Sequence, residues 1–138
     1  MKKIIILSAL AIGIICSVHA QTKQHKVVFE ITSADTTEQI TVLRQMNNVV
    51  KDAPGTKIEL VCHGSAIFML VKEKTVVAAA MQELKNNYGV EFAACANSMK
   101  KNKLDKSQLV TEATVVPNGV MEVVAKEEEG WSYIKAGH

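Results

Sequence analysis

A chain of 138 residues with 16 basic and 14 acidic side chains and 48% hydrophobic residues is long enough for one domain with a substantial core and too short for two. The surplus positive charge is Lys2 and Lys3; without them the 16 basic residues fall to 14, equal to the 14 acidic ones. A neutral chain offers no basic surface for nucleic acid, so that class of partner is excluded.

Lys2 and Lys3 precede an apolar run over residues 4–16, and Val18-His19-Ala20 supplies small residues at the positions a signal peptidase reads. Residues 1–20 therefore read as a secretory signal, shorter than the roughly 20 apolar residues of a membrane span. The expected mature chain is 21–138, exported to the periplasm or beyond, with no membrane anchor after cleavage. Ile15 before Cys16 argues against lipid attachment at that cysteine, which leaves Cys62 and Cys95 in the mature protein.

Residues 21–24 read as a disordered tail. Residues 25–31 (HKVVFEI) form a β-branched and aromatic strand, followed by the loop TSADTTE. Asp35 with Glu38 three residues later predicts a capping box, and Ile40, Leu43, Met46, Val49 and Val50 recur at helical spacing until Pro54-Gly55. A second strand, KIELVC (57–62), runs into His63-Gly64. Residues 65–71 (SAIFMLV) fit either an apolar loop or a helical turn. Val76, Val77, Ala80, Met81 and Leu84 mark a second helix, which Gly89 closes. A short strand at 90–94, a short helix at 97–104, a strand at 113–116, a helix at 120–129 closed by Gly130, and an edge strand at 131–134 complete the chain.

Strands and helices alternate, and the strands are apolar without strict alternation, as expected when both faces are buried. The fold class is α/β: a single-domain three-layer sandwich around a mainly parallel sheet of four to five strands, flavodoxin-like, with right-handed crossovers.

In such a sheet the ligand site lies beyond the carboxyl ends of the strands. Cys95 falls there, between a strand and a helix N-terminus, where free N–H groups favour a thiolate. Small neighbours Ala93, Ala94 and Ala96 leave the sulfur accessible, and Lys100, Lys101 and Lys103 add positive charge. Cys62, His63, Asn97 and Ser98 line the same edge. The plainer reading makes Cys95 a small buried hydrophobe and His63 a satisfied loop histidine.

Two cysteines in an exported protein also suggest a disulfide. With the strand order 2-1-3 the two lie two spacings of about 4.8 Å apart, near 10 Å and beyond the roughly 7 Å a bridge allows; with adjacent strands a bridge is again open. Cys62, His63 and Cys95 together could instead hold a soft metal such as copper or zinc, or line a small-ligand pocket, which would make the protein a non-enzymatic binding module. No GxGxxG, GxxxxGK[ST] or GxSxG motif is present; no cofactor is expected.

The succession of VCHG, the IFML segment, ACANSM and PNGVMEVVAKEEEGWSYI resembles the DsrE-like sulfur-relay family, in a small exported single-domain form, over residues 26–135. The resemblance implies a DsrE-like α/β sandwich assembled as a homo-oligomer, trimer or hexamer. It also implies that Cys95, at the position of the family's sulfur-carrying cysteine, holds sulfur as a persulfide and exchanges it with a donor or acceptor protein.

Overall fold

The computed structural model describes residues 24–137; the expected signal segment, residues 1–20, lies outside them, while Gln24 of the expected tail donates from Nε2 to the Gly55 carbonyl at 3.1 Å. The elements follow the order β1 (Lys26–Ile31), α1 (Thr36–Asp52), β2 (Lys57–Cys62), a 3₁₀ segment (Gly64–Leu70), α2 (Ala78–Tyr88), β3 (Glu91–Cys95), α3 (Ala96–Lys101), a short 3₁₀ turn (Lys106–Gln108), β4 (Ala113–Val116), α4 (Gly119–Glu128) and β5 (Ser132–Ala136). The five strands make one sheet, ordered β4-β3-β2-β1-β5, and every pairing is parallel.

This order places the layers. The chain steps from β1 to β4 in one direction and then returns across the sheet to lay β5 beside β1. A crossover of fixed hand places its helix on one face when the chain moves one way and on the other face when it moves back. Accordingly α1, α2, α3 and the 3₁₀ segment cover one face, and α4 alone covers the other, touching β1, β2, β3 and β5. The expected three-layer α/β sandwich with a parallel sheet is what forms. The 2-1-3 order used above to separate the cysteines does not form, because β2 and β3 are neighbours.

The two faces are packed unequally. Phe29, Ile31, Leu60, Phe92 and Ala94 meet Val42, Met46, Ile67, Leu70 and Met81 in the larger core, where burying each large side chain stabilises the fold by roughly 1.5–3 kcal/mol. Beneath α4 the core is thin: Val28, Val61, Ala93 and Val123, with Val116 and Trp131 at its margin. Asp35 caps α1 as expected, its carboxylate accepting from the N–H groups of Thr37 and Glu38, and Gly89 ends α2 in the left-handed conformation at φ 69. Two expected core positions are exposed: Ile40 at 53% and Val76 at 66%. In α1 the buried stripe runs instead through Gln39, Val42, Leu43, Met46 and Val50, and Val76 precedes the helix that its apolar run was taken to begin.

A buried ion pair supplements the thin core under α4. Lys126 Nζ lies 2.7 Å from Glu59 Oε2, with 3.7 Å to Glu122 one turn earlier, and sits over the Trp131 ring at 4.6 Å. Glu59 is 3% exposed, and its Oε1 has no hydrogen-bond partner among the described residues. Burial is the largest influence on both groups. It holds Glu59 above the usual carboxylate range despite Lys126, whereas the attraction of Glu59 outweighs burial for Lys126, which is also raised. Removing the lysine leaves a buried carboxylate alone, a loss typically of about 3 kcal/mol or more. Lys126→Met should therefore lower stability to urea at pH 7 by about 3 kcal/mol, and adding Glu59→Gln should recover most of it. Because the folded state raises Glu59, it binds the proton more tightly than the unfolded chain, so the single variant's deficit should narrow as pH falls.

Candidate functional site

Cys95 is the last residue of β3 and the N-cap of α3, with extended backbone at φ −70 and ψ 117. Side chains alternate across a strand, so Cys95 shares the α4 face with Ala93 while Ala94 points into the larger core. The register pairs Cys62 with Ala94, which puts Cys62 in the larger core as well, fully buried. The two cysteines thus lie on adjacent strands but on opposite faces, and both are free thiols. Strand adjacency alone would have permitted a bridge; the pleat forbids it.

One residue beyond Cys62, His63 returns to the α4 face beside Cys95. The two are brought together over Gly119, the first residue of α4: a β carbon added there would sit 3.1 Å from His63 Cβ, 3.2 Å from Cys95 Cβ and 3.2 Å from Val61 Cγ1. These contacts are tighter than a side chain ordinarily makes, so a residue with no side chain lets the helix start lie this close to the sheet without moving its neighbours. Asn118 caps α4, its side-chain oxygen accepting from the N–H groups of Val120 and Met121, and the Gly119 N–H is left to point at the Cys95 sulfur.

The N–H and hydroxyl of Ser98 and the N–H of Asn97 also favour a negative charge on that sulfur, although none of them makes a cap hydrogen bond of ordinary geometry to it. The Ser98 hydroxyl is itself positioned, since its oxygen accepts from the Gly64 N–H at 2.8 Å. Gly64 has φ 59, and this left-handed turn just after His63 brings its N–H to Ser98. Burial pushes the Cys95 thiol up, but these donors favour the thiolate more strongly, and the net ionisation lies below that of an ordinary thiol. Cys62 goes the other way, pushed far up by burial alone. Lys100 and Lys101, expected to supply positive charge, occupy the last turn of α3; the largest influence at Cys95 is burial, followed by the N–H and hydroxyl donors.

The expected site residues therefore divide. Cys95, His63, Ser98 and the backbone of Asn97 form one constellation, and Cys62 is sealed away from it. Cys62, His63 and Cys95 do not converge into one ligand set, and no group of three or more His, Cys, Asp and Glu among the described residues is placed to hold a metal ion. A groove between α1 and β5, lined by Thr41, Gln45, Asn48 and Ile134, contains none of the site residues.

Sequence reasoning missed three contributors. Gly119 read as a turn residue in Pro117-Asn118-Gly119, although an Asn-Gly pair opening a helix is the available sign of a capped, close-lying N-terminus. Glu30 reads as one residue of the first strand, and Tyr133 as a subunit contact or a packing residue of the last strand. They extend the site across the sheet: Glu30 Oε1 lies 2.6 Å from His63 Nε2, and the Tyr133 hydroxyl donates to Glu30 Oε2. Burial works to raise Glu30, yet the bonds from Tyr133 and His63, with the charges of His63 and Lys135, bring it below the usual carboxylate value. The hydrogen bond to Glu30 in turn pushes Tyr133 up to about 12.

Since the three atoms facing Gly119 are attached to strands or their immediate continuation, a methyl group there must lift α4 instead of displacing them. Gly119→Ala should cost about 1–3 kcal/mol of stability and slow alkylation of Cys95 by iodoacetamide at neutral pH, because the displaced N–H no longer reaches the sulfur. A variant as stable and as reactive as the wild type would contradict this geometry.

Comparison with known proteins agrees with the fold. A search of curated proteins gave no match. Among solved structures, a protein of unknown function, MTH1491 from Methanobacterium thermoautotrophicum, superposes with a TM-score of 0.77 at 27% identity, covering 81% of this chain and 99% of its own. The YchN protein of E. coli superposes with a TM-score of 0.66 at 9% identity over 81% of this chain and 98% of its own, a likeness of fold. The model of the DsrE/DsrF-like family matches residues 25–136, nearly all of the described structure, and the chain belongs to that family.

Proposed function

We propose that the protein is an exported sulfur-relay protein that carries sulfane sulfur as a persulfide on Cys95. The observation that carries this reading is the set of donors on one sulfur: N–H groups from the starts of two helices and a positioned hydroxyl, which favour the thiolate in a strand-end thiol. Thiolate is the form that attacks sulfur, and in a DsrE/DsrF-like chain the chemistry such a thiol serves best is transfer of a sulfur atom.

Export rests on the sequence of residues 1–20. A homo-oligomer, trimer or hexamer, with sulfur exchanged to a donor or acceptor protein, completes the proposal. It is supported by exposed apolar residues on the face that carries the site, Val120 and Met121 at the start of α4 and Tyr133 on β5, since exposed apolar surface favours association. No helix among the described residues is long and apolar enough to cross a membrane.

The test is intact mass of the mature protein after incubation with polysulfide. Wild type and Cys62→Ser should gain about 32 Da per added sulfur, and Cys95→Ser should gain none. Equal loading of wild type and Cys95→Ser would remove the proposal.

A further inference from the structure

The polar side chains of the α4 face form a row along the carboxyl ends of four adjacent strands. Cys95 ends β3; His63 follows β2; Glu30 lies near the end of β1, paired in register with Val61 on one side and Lys135 of β5 on the other; and Tyr133 stands two residues earlier on β5. The contacts make this row a connected chain, from Tyr133 to Glu30 and from Glu30 to His63. The side chains of His63 and Glu30 are only 19% and 16% exposed, so their bond is shielded from water. Beyond His63 the row continues to Cys95, whose β carbon and that of His63 lie 3.2 and 3.1 Å from the place a β carbon would take on Gly119.

Hydrogen-bond direction settles what His63 offers. Both Glu30 oxygens accept, one from the tyrosine hydroxyl and one from the ring. An ionised carboxylate has no proton to give, so Nε2 carries the hydrogen. The remaining ring nitrogen, Nδ1, is not the one held by Glu30. It holds a lone pair in the neutral ring and a proton in the charged one. Nucleophile, histidine and orienting carboxylate follow the order found wherever a thiol or hydroxyl works with a histidine that must pass a proton.

Resting on the persulfide reading of Cys95, we propose that His63 is the proton-transfer residue of sulfur exchange, that Glu30 and Tyr133 are its positioning residues, and that the substrate is a persulfide whose departing thiolate must be protonated. In loading, the Cys95 thiolate attacks the outer sulfur of a donor R–S–S–H. The donor S–S bond breaks, a new S–S bond forms to Cys95, and the electron pair of the broken bond leaves on R–S⁻, which takes the Nδ1 proton of charged His63 and departs as R–SH. Cys95 then carries –S–S–H. In unloading, neutral His63 removes the proton of an acceptor thiol R′–SH; the resulting thiolate attacks the outer sulfur and leaves as R′–S–S–H, with the Cys95 thiolate restored. One sulfur moves at each step with no net oxidation or reduction, and the proton taken in the second step is the one spent in the first.

The role is separable from that of poising the thiol, because iodoacetamide alkylates Cys95 with loss of iodide, a leaving group that needs no proton. The experiment compares two rates on the mature protein, sulfur loading from glutathione persulfide followed by intact mass and alkylation of Cys95 by iodoacetamide, for wild type, His63→Gln, Glu30→Gln and Tyr133→Phe. His63→Gln should load the same single sulfur about 100-fold more slowly while alkylation stays within about twofold of wild type. Glu30→Gln and Tyr133→Phe should lie between, near tenfold slower. Donors with more acidic thiols should narrow the His63→Gln deficit, since their thiolates leave without a proton. Loading at the wild-type rate in all three variants, or parallel loss of both rates, would overturn the assignment and leave Cys95 as carrier. No added sulfur on the wild type would remove the persulfide reading and this assignment together.

Discussion

The approach of α4 to the sheet at Gly119 is the contact on which the site depends. A helix start stacked this close aims its first N–H at the Cys95 sulfur, and it does so because a β carbon at that position would meet three atoms at 3.1–3.2 Å. The surrounding packing allows the approach: under α4 the core is built from Val28, Val61, Ala93 and Val123, side chains of modest size. Toward the other end of the helix the Lys126–Glu59 pair holds α4 to β2 by charge across a buried, low-dielectric contact. A small residue over the thiol and an ion pair further along the helix are two parts of one arrangement.

Topology explains why this face, and not the larger one, carries the chemistry. Three crossovers in one direction load the first face with α1, α2 and the 3₁₀ segment, whose Met, Leu and Ile side chains fill it. The single return crossover leaves the second face to one ten-residue helix, with room at the strand ends for the row Cys95, His63, Glu30 and Tyr133. Cys62 shows the consequence of the pleat: it lies on the strand next to Cys95, yet it is sealed among apolar side chains and its thiol is pushed up, while Cys95 is lowered by donors. Two identical side chains on neighbouring strands thus have opposite chemistry because they face different layers.

Much of this was legible in the sequence. Short β-branched apolar runs and period-3.6 stripes place every strand and long helix, Asp35 announces the start of α1 and Gly89 the end of α2, and the position of Cys95 between a strand and a helix already implies N–H donors at the start of α3. What was not legible depends on which strands are neighbours. Whether Cys62 could reach Cys95 turned on strand order, and the real order brings the strands together while the pleat keeps the sulfurs apart. Glu30 carries no signal in the sequence because its partners, His63 and Tyr133, are 33 and 103 residues away. Gly119 looked like a turn because its role appears only once the return crossover lays α4 over β3. Ile40 and Val76 were misplaced for a local reason: apolar residues at helix starts extend a stripe past the point where the sheet can cover it.

The claim that most needs a direct reading is that hydrogen-bond donors, acting against burial, favour the Cys95 thiolate. Thiolate absorbance in the ultraviolet, followed as a function of pH on the folded Cys62→Ala variant, measures it without any assumption about substrate. This account predicts a midpoint below the value of about 8.5 for a free cysteine. A midpoint at or above that value would mean that burial prevails over the N–H and hydroxyl donors around the sulfur, and Cys95 would then be a packing residue at the end of a strand.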